Sequence, residues 1–348
     1  MELLSVTMNG GVMPRSEIEG KDNSSEDKSN YKIVLTGDMV YNSMRMWQGA
    51  NGISPCDGIV SPAYTVLKPK FPISNGYFAA LFKSPNLINE FRKNSQGMTS
   101  DTWNLKYPQI ETIKVCIPSL SEQERIADML GTLQKRIAKQ AQLVDSLKKY
   151  KRGLLSFTFE EMSISDDADS TTYLFSEIAQ RRKEKYSPGS RVEYPCIELE
   201  HIEQGTGRLL GSVSSTTQIS IKTVAKTGDV LFGKLRPYLR KFAFAEQDMV
   251  CSSEIWAFVP SKYVLPKYLY YLIQTEHFLR VANISSGTKM PRAEWVNIEK
   301  ESFDIPCIPV QDKIIAVMEA VDKRICASDD TLSLLLKVKE ALLQQLFI

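Results

Sequence analysis

The chain has 348 residues, a formal net charge of +2 at neutral pH, and 43% hydrophobic and 24% charged residues. This length can hold two domains with separate cores, and this composition is typical of soluble globular proteins rather than disordered or fibrous ones. The apolar runs are shorter than the roughly 18 residues of a membrane-spanning helix, and a charge near zero does not by itself indicate a nucleic-acid partner.

The cysteines and the first residues bear on the cellular compartment. Six cysteines are scattered along the chain without the paired spacing of a metal site, so they predict buried free thiols and no bound metal. The opening MELLSVTMNGG lacks the basic and apolar layout of a secretory signal. We therefore expect a cytoplasmic protein that does not contact the membrane.

Residues 1–116 predict a first mixed domain. Strand-forming runs at Tyr31–Leu35, Asp38–Tyr41 and Ile59–Leu67 alternate with turn residues such as the Thr-Gly-Asp of positions 36–38. A helix is predicted to begin near Ser74. The alternation of strands and helices indicates an α+β domain with a curved sheet.

Residues 117–160 predict a long helix. The sequence SEQE places Ser121 as an N-cap with Glu124 three residues on, which is a capping box. Apolar residues then recur at alternating steps of four and three, the heptad pattern of a coiled coil. The seam residues predicted from this spacing are Leu130, Leu133, Ile137, Val144 and Leu147.

Residues 161–304 repeat the first domain after an acidic, polar stretch that reads as a linker. Thr-Gly-Asp of positions 36–38 returns at 227–229, and this offset of 191 continues from 58–69 to 249–260. Strands are predicted at Asp229–Phe232 and Ser253–Val259, and a helix near Pro266. The internal repeat therefore predicts two related domains.

The second copy also opens with about 25 residues, from Thr171 to Pro195, that have no counterpart before Met1. A helix is predicted over Leu174–Lys185, and the first copy is expected to be N-terminally incomplete. The basic stretches Lys148–Arg152 and Arg181–Lys185 are interpreted as charged outer faces of helices.

Residues 305–348 predict a second long helix, which matches the first at an offset of 188 (135 to 323). Its predicted seam residues are Met318, Val321, Ile325, Leu332 and Leu335. Polar residues coincide in the two seams, Gln140 with Ser328 and Lys151 with Lys339, and such matched groups commonly fix register. We expect the two helices to pair antiparallel, so that the mixed domains lie at opposite ends of a rod; the alternative is that each packs on its own domain.

The rod would act as a spacer. Roughly 40 residues at about 1.5 Å each give about 60 Å, comparable with about 18 base pairs of duplex. The fold class predicted is therefore α+β: two similar mixed domains joined by two long antiparallel coiled-coil helices, with a pseudo-two-fold internal repeat.

Basic and aromatic residues concentrate in loops of the mixed domains, although the second loop of the first copy, QGMTSDTW, is less basic than its counterpart. Arginine and lysine suit phosphate oxygens and guanine edges, and asparagine and glutamine suit adenine. These loops give the candidate DNA-binding residues, which are Arg45, Trp47, Gln48, Thr99 and Ser100 in the first copy and Lys234, Arg236, Tyr238, Arg240, Lys289 and Arg292 in the second. Because the two copies differ at these positions, each is expected to read a different sequence.

Signatures of catalysis are missing from the sequence. It has no Walker A loop, no glycine-rich cofactor fingerprint and no Asn-Pro-Pro-aromatic motif of amino-methyltransferases. The two histidines, His201 and His277, both lie in the second copy, which favours structural roles. We expect no catalytic residue.

The repeat resembles the specificity subunit of type I restriction–modification systems. The residues that carry the resemblance are TGDMVYNSMRMWQG and TGDVLFGKLRP, the junctions IPSLSEQERIA and IPVQDKIIA, and the closing LLSF and LLQQLF. The resemblance implies a non-catalytic subunit with two target-recognition domains, each reading half of a split site in double-stranded DNA. The domains would then be residues 1–116 and 161–304, and the spacer helices residues 117–160 and 305–348.

The resemblance also implies partner subunits. These would be DNA methyltransferase subunits, expected to number two, and a restriction translocase. No cofactor is expected on this chain, because S-adenosylmethionine, ATP and magnesium would bind the partners. Two alternatives stay open: a truncated paralogue that exchanges or competes with a full specificity subunit, and a stand-alone nuclease.

Overall fold

The computed structural model describes residues 1–8, 10–18, 20, 22, 24–161, 170–190, 192–284 and 290–347. Contacts within the chain group it into two compact units. Unit 1 comprises Met1–Gln142 and Asp329–Ile348, and unit 2 comprises Leu143–Ser328. Each unit contains one mixed region and part of each long helix. No helix among the described residues is long and apolar enough to cross a bilayer.

Unit 1 begins with short strands and ends with helices. The strands are β1 (Glu2–Thr7), β2 (Gly11–Pro14), β3 (Lys32–Val34), β4 (Met39–Asn42), β5 (Asn51–Ile53), β6 (Gly58–Val60) and β7 (Tyr64–Leu67). The helices are α1 (Asn75–Leu81), α2 (Pro85–Asn94), α3 (Tyr107–Ile110) and the long α4 (Leu120–Ser156), which continues into unit 2. As predicted, Ser74 caps the first helix, because its side chain accepts the Tyr77 N–H.

The strands of unit 1 form two sheets. One has the order β2-β1-β6-β3 and the other β5-β4-β7, so that β7 is an edge strand. Only β1 and β6 run parallel among these described pairs, and the other pairs are antiparallel.

Unit 2 has the same kinds of element with an additional opening segment. Its strands are β8 (Ser170–Leu174), β9 (Ala179–Arg181), β10 (Lys185–Tyr186), β11 (Pro195–Ile197), β12 (Val213–Ser214), β13 (Lys222–Ala225), β14 (Val230–Gly233), β15 (Phe242–Phe244), β16 (Met249–Cys251), β17 (Ile255–Pro260) and β18 (Ser302–Pro306). Its helices are α5 (Phe175–Ile178), α6 (Pro266–Leu272), α7 (Glu276–Ala282), α8 (Trp295–Ile298) and the long α9 (Ile308–Leu346), which continues into unit 1.

The sheets of unit 2 reproduce those of unit 1 strand by strand. The order β15-β14-β17-β9 matches β5-β4-β7 with one added strand, and the order β10-β13-β16-β11-β12 matches β3, β6, β1 and β2 with β10 added. Strand β8 pairs with β18. The predicted duplication is therefore present in the backbone.

Within unit 1, the N-terminal part of α4 packs against the C-terminal part of α9. Leu130 of α4 and Phe347, which follows α9, belong to one apolar cluster with Tyr77 of α1. Lys339 of α9 donates a hydrogen bond to Gln134 Oε1 of α4 at 2.6 Å. The two helix segments run antiparallel here.

Within unit 2, the C-terminal part of α4 packs against the N-terminal part of α9. Leu155, Ile314 and Met318 share the large apolar core of this unit. Lys151 Nζ of α4 lies 2.7 Å from Asp322 Oδ1 of α9. Opposite ends of the helices thus meet in each unit, which confirms the antiparallel arrangement.

The predicted seam residues of the two long helices differ in how deeply they are buried. The buried ones are Leu130, Ile137, Val144, Met318, Ile325 and Leu335, and the half-buried ones are Leu133, Leu147, Val321 and Leu332. The predicted capping box is wrong. The helix begins at Leu120, and the Ser119 hydroxyl accepts the Glu122 N–H at 3.4 Å, so Ser121 lies inside the first turn.

The helix predicted over Leu174–Lys185 is also wrong. Only Phe175–Ile178 is helical, and the flanking residues form β8 and β9, because pairing with β18 and β17 satisfies their backbone groups. The basic stretch that follows is correspondingly not an outer helical face. Arg181 lies 4.7 Å from the Trp295 ring centroid, and Arg182 forms a two-pronged ion pair with the buried Asp229.

The cysteine prediction holds only in part. Of the six, only Cys196 and Cys251 are buried, and Cys56 is half-buried. The exposed ones are Cys116, Cys307 and Cys326. Exposure follows from position, since two of these lie beside the starts of the long helices and one lies on α9.

Candidate nucleic-acid interface

The two loops predicted to touch DNA in the second copy lie side by side in unit 2. The Arg236 N–H donates to the Pro291 carbonyl at 2.8 Å, and the Ala293 N–H donates to the Lys234 carbonyl at 2.8 Å. Leu235 also forms an isolated bridge with Arg292. Backbone hydrogen bonds therefore join two loops that are more than 50 residues apart in the sequence.

The first of these loops has an unusual backbone. Arg236 and Arg240 adopt left-handed conformations, with φ of 52° and 50°, on either side of the 3₁₀ turn Pro237–Leu239. The buried Pro237 disfavours the right-handed helical region for the residue before it. The loop is thus held in one shape between β14 and β15.

Carboxylates neutralise two of the predicted cations in unit 2. The Arg240 guanidinium lies 2.6 Å from Glu276 Oε1, and Arg292 contacts both carboxylate oxygens of Glu254, at 3.0 and 3.4 Å. Arg236 is exposed, with no carboxylate partner among the described residues, and Tyr238 is 52% exposed. The half-buried Lys234 and the exposed Arg236 are the cations that this surface offers; the predicted Lys289 lies outside the described residues.

The corresponding loops of unit 1 also lie together. The Leu105 N–H donates to the Ser43 carbonyl at 2.8 Å, and the rings of Trp47 and Trp103 meet edge to face with centroids 5.1 Å apart. Arg45 Nη1 lies 4.0 Å from Asp101 Oδ1. In both units, therefore, the structure brings together the loops that the sequence singled out.

The remaining candidates of unit 1 differ in exposure. Gln48 is half-buried in the 3₁₀ turn Met46–Gln48, whereas Thr99 and Ser100 are exposed at the tip of the second loop. Thr99 caps the turn that follows, together with Thr102. Met98 beside them is completely exposed. This loop presents small polar groups rather than cations.

Sequence reasoning missed several residues of these surfaces. Three arginines of these surfaces lie against carboxylates, which belong to Asp101, Glu254 and Glu276. No local sequence pattern identifies these acids, because their partners are distant in the sequence. In unit 2, a cleft of about 850 Å³ adjoins the first loop. Its basic and aromatic lining residues include Lys148, Arg152, Arg208, Tyr238 and Arg240. The run of basic residues at 148–152 was a signal for it.

The histidines have structural partners. His201 Nδ1 accepts the Glu198 N–H at 3.0 Å, and His277 Nε2 lies 2.6 Å from Glu301 Oε1. Within the described residues, no cluster of histidine, cysteine and carboxylate side chains has the geometry of a metal site.

Family comparisons agree with this repeat of paired loops on long helices. Residues 6–149 and 171–333 match the type I restriction modification DNA specificity domain. These two matches cover most of the chain, one in each copy of the repeat, and the chain belongs to this family.

Two curated proteins that match the chain are specificity subunits of type I restriction enzymes. The chain is 25% identical over 271 residues to the specificity subunit of the Escherichia coli type I restriction enzyme EcoDI, which covers 67% of the chain and 60% of that subunit. It is 27% identical over 135 residues to the Haemophilus influenzae HindI specificity subunit, covering 36% of the chain and 29% of that subunit. The chain thus spans less than two thirds of these two relatives.

The fold also matches a solved structure. The S subunit of a type I restriction–modification system from M. genitalium superposes with a TM-score of 0.60 at 13% identity, over 99% of this chain and 94% of that one. This likeness confirms the predicted α+β fold class.

Proposed function

We propose that this chain is the DNA-reading subunit of a type I restriction–modification complex. The paired loops carry this proposal, because each unit joins two loops through backbone hydrogen bonds and presents different side chains on them. Unit 1 offers Trp47, Thr99 and Ser100, and unit 2 offers Lys234 and Arg236. Different side chains on a shared scaffold are what two unlike half-sites in double-stranded DNA require.

The family resemblance suggests a role for each region of the chain. Residues 1–116 and 161–304 would read the half-sites, and residues 117–160 and 305–348 would set their spacing and bind methyltransferase subunits. S-adenosylmethionine, ATP and magnesium would act on the partner subunits. The chain itself would then be non-catalytic, so pure protein incubated with DNA and magnesium should leave the DNA intact; cleavage would favour the nuclease alternative.

The substitution Arg236→Ala tests the reading surface. Loss of one arginine contact to a base edge or phosphate should weaken binding of the complex assembled with methyltransferase subunits by about 1–3 kcal/mol, or roughly 5- to 150-fold. The measurement is fluorescence anisotropy on DNA that the host methylates, at several salt concentrations. Lys262→Ala, an exposed lysine that lies over the Tyr263 ring, is the matched control. Equal affinities for the two variants would refute the assignment.

A further inference from the structure

The cleft of about 850 Å³ in unit 2 is lined in part by the long helix α4. The helix contributes Lys148, Lys151, Arg152 and Leu155 to this lining. These residues are three and four positions apart, so they lie on one face of the helix. Tyr238 of the candidate DNA-binding loop also lines the cleft. One face of α4 and that loop therefore border the same space.

The charges around this cleft do not balance. Five cationic side chains and three carboxylates line it, which leaves an excess of two positive charges in one cleft of a chain whose total net charge is +2. The three carboxylates already have partners, namely Lys151 for Asp322, Arg240 for Glu276 and the Thr206 hydroxyl for Glu203. The cleft is therefore a local cationic site on a nearly neutral chain.

Lys148 and Arg152 have no carboxylate partner among the described residues. Lys148 is half-buried and Arg152 is exposed, and they lie one helical turn apart, about 6 Å along the axis of α4. A cleft lined by charges of one sign focuses their field and concentrates ligands of the opposite sign. These two side chains are thus positioned to bind two neighbouring anionic groups.

The repeat shows that the long helices pack without this pair of cations. At the offset of 188, Lys148 and Arg152 correspond to Leu336 and Glu340 of α9. Leu336 is 49% exposed and Glu340 is exposed as well, so the equivalent helix face in unit 1 is open to solvent with a leucine and an acid at these positions. Positive charge here is a feature of unit 2 and is not a requirement of helix pairing.

We propose that Lys148 and Arg152 bind phosphates of the DNA backbone beside the half-site that unit 2 reads. This inference rests on the proposed function and adds a ligand group to it, the phosphodiester oxygens, which position a duplex without carrying sequence information. The shared cleft favours DNA over an acidic protein segment, because one duplex can contact both Tyr238 and α4. The half-site of unit 2 thereby gains two backbone contacts that α9 does not supply to unit 1.

Salt dependence separates this role from base reading. Each phosphate contact contributes about 0.9 to the slope of log K against log salt, which is about eightfold in affinity at 0.1 M salt. In the complex with methyltransferase subunits, Lys148→Ala and Arg152→Ala should each lower the slope by about 0.9, equally on DNA that the host methylates and on an unrelated duplex. The measurement is fluorescence anisotropy at several salt concentrations. Lys149→Ala is the matched control, since this exposed neighbour does not line the cleft, and it should keep the parent slope.

Duplexes with single neutral methylphosphonates locate the contacts. At a contacted phosphate the replacement should weaken binding of the parent complex and have little further effect on the double variant Lys148→Ala, Arg152→Ala. Gel filtration with methyltransferase subunits checks that each variant still assembles. An unchanged salt slope, an equal fall for Lys149→Ala, or loss of assembly, which would place this face in a protein interface, would each overturn the proposal.

The phosphate contacts and the sequence reading can fail separately. Preference for host-methylated DNA, with a parent-like slope in the Lys148 and Arg152 variants, would remove the phosphate contacts and leave the proposed function intact. Slopes that fall as expected, with no preference between the two duplexes, would support the phosphate contacts and contradict the proposed function.

Discussion

The two units share one scaffold and differ in how they complete it. Unit 2 covers its core with its own opening segment, and Phe175 is fully buried as a result. The matching face of unit 1 leaves Val115 and Ile117 exposed. The two units thus share the same sheet order and helix segments, and only in unit 2 is a segment described over this face.

The units also differ in the charge beside their paired helices. Lys151 lies against Asp322 in unit 2, and the equivalent Lys339 lies against Gln134 in unit 1. The two pairs occupy equivalent positions, 188 residues apart in the sequence. Their nitrogen–oxygen distances are 2.7 Å and 2.6 Å. In unit 1 an amide therefore stands where unit 2 has a carboxylate, and no carboxylate among the described residues forms an ion pair with Lys339.

A second lysine, Lys83, adds to the difference in charge between the two units. Burial, followed by the charge of Lys339, lowers the pKa of Lys83 to about 8. Burial also lowers the pKa of Lys339. The counterpart of Lys83 at the offset of 191 is the uncharged Gln274. Unit 1 thus holds two partly buried lysines where unit 2 holds an ion pair.

The largest expected effect comes from removing the anchor of the covering segment. Phe175→Ala should destabilise unit 2 by about 3–5 kcal/mol, because a fully buried aromatic side chain is lost. The equivalent region of unit 1 is open, so Val115→Ala should cost at most about 0.5 kcal/mol. Urea unfolding followed by hydrogen exchange of peptides from each unit measures both. Similar losses for the two variants would show that unit 1 is closed as well.

Breaking the ion pair should have the next largest effect. Removing one partner of a buried pair costs about 3–5 kcal/mol, and the Asp322 side chain is 24% exposed, so we expect Asp322→Gln to cost about 2 kcal/mol. Glu319→Gln is the control, since Glu319 pairs with Lys267 at 3.6 Å and is 37% exposed. The urea midpoint should move for the first variant and stay nearly unchanged for the second. A shift of equal size in both would contradict a special role for the pair.

The units should respond to alkaline pH with opposite signs. The folded-state pKa of Lys83, about 8, lies below its ordinary value of 10.5, so the unfolded chain binds more protons from pH 8 upward and unit 1 gains stability. A gain of about 2 kcal/mol by pH 10 is expected relative to Lys83→Met, from unfolding at a series of pH values. An identical pH dependence for the two chains would exclude the lysine as the cause.

The buried thiols of unit 2 give the opposite trend. Burial raises the pKa of Cys196 to about 11 and that of Cys251 to about 12, from an ordinary value of 9. Stability from these protonated thiols is present below pH 9 and is lost as pH rises through 11 to 12. The double variant Cys196→Ala and Cys251→Ala should lose less stability above pH 9 than the parent chain.

The smallest effect is expected from giving unit 1 the missing carboxylate. Gln134→Asp places an acid opposite Lys339, as Asp322 stands opposite Lys151, and should stabilise unit 1 by up to about 1 kcal/mol. The same change should reduce the alkaline gain that Lys83 causes. The reference is Gln134→Asn, which shortens the side chain without adding charge. If both substitutions destabilise equally, length rather than charge governs this position.

Much of the fold follows from the sequence because the repeat can be read directly. The offsets of 191 and 188 predict which strands and helices correspond, and the heptad spacing predicts which parts of α4 and α9 face each other. The helix predicted over Leu174–Lys185 shrinks to Phe175–Ile178, because the residues on either side pair as β8 and β9 with distant strands. Periodicity describes local preference, whereas β8 and β9 pair with strands about 130 and about 80 residues away, respectively.

The candidate interface was predictable in its loops and not in its charges. Basic and aromatic residues mark the loops of the second copy and the first loop of the first copy, and the repeat marks the remaining loop, which carries Thr99 and Ser100. The carboxylates that neutralise Arg240 and Arg292 come from Glu276 and Glu254, in other parts of the chain. Which arginine stays available depends on these tertiary contacts, which composition and spacing do not encode.

The left-handed backbone at Arg236 and Arg240 limits how this loop can vary. Such a conformation costs an ordinary L-residue about 1–2 kcal/mol, and β-branched side chains tolerate it worst. Mutational change there is thereby confined to glycine, asparagine, aspartate and unbranched side chains, and valine, isoleucine and threonine are excluded. Diversification of the surface would have to proceed through Lys234 and Tyr238, whose side chains can change without disturbing the bend.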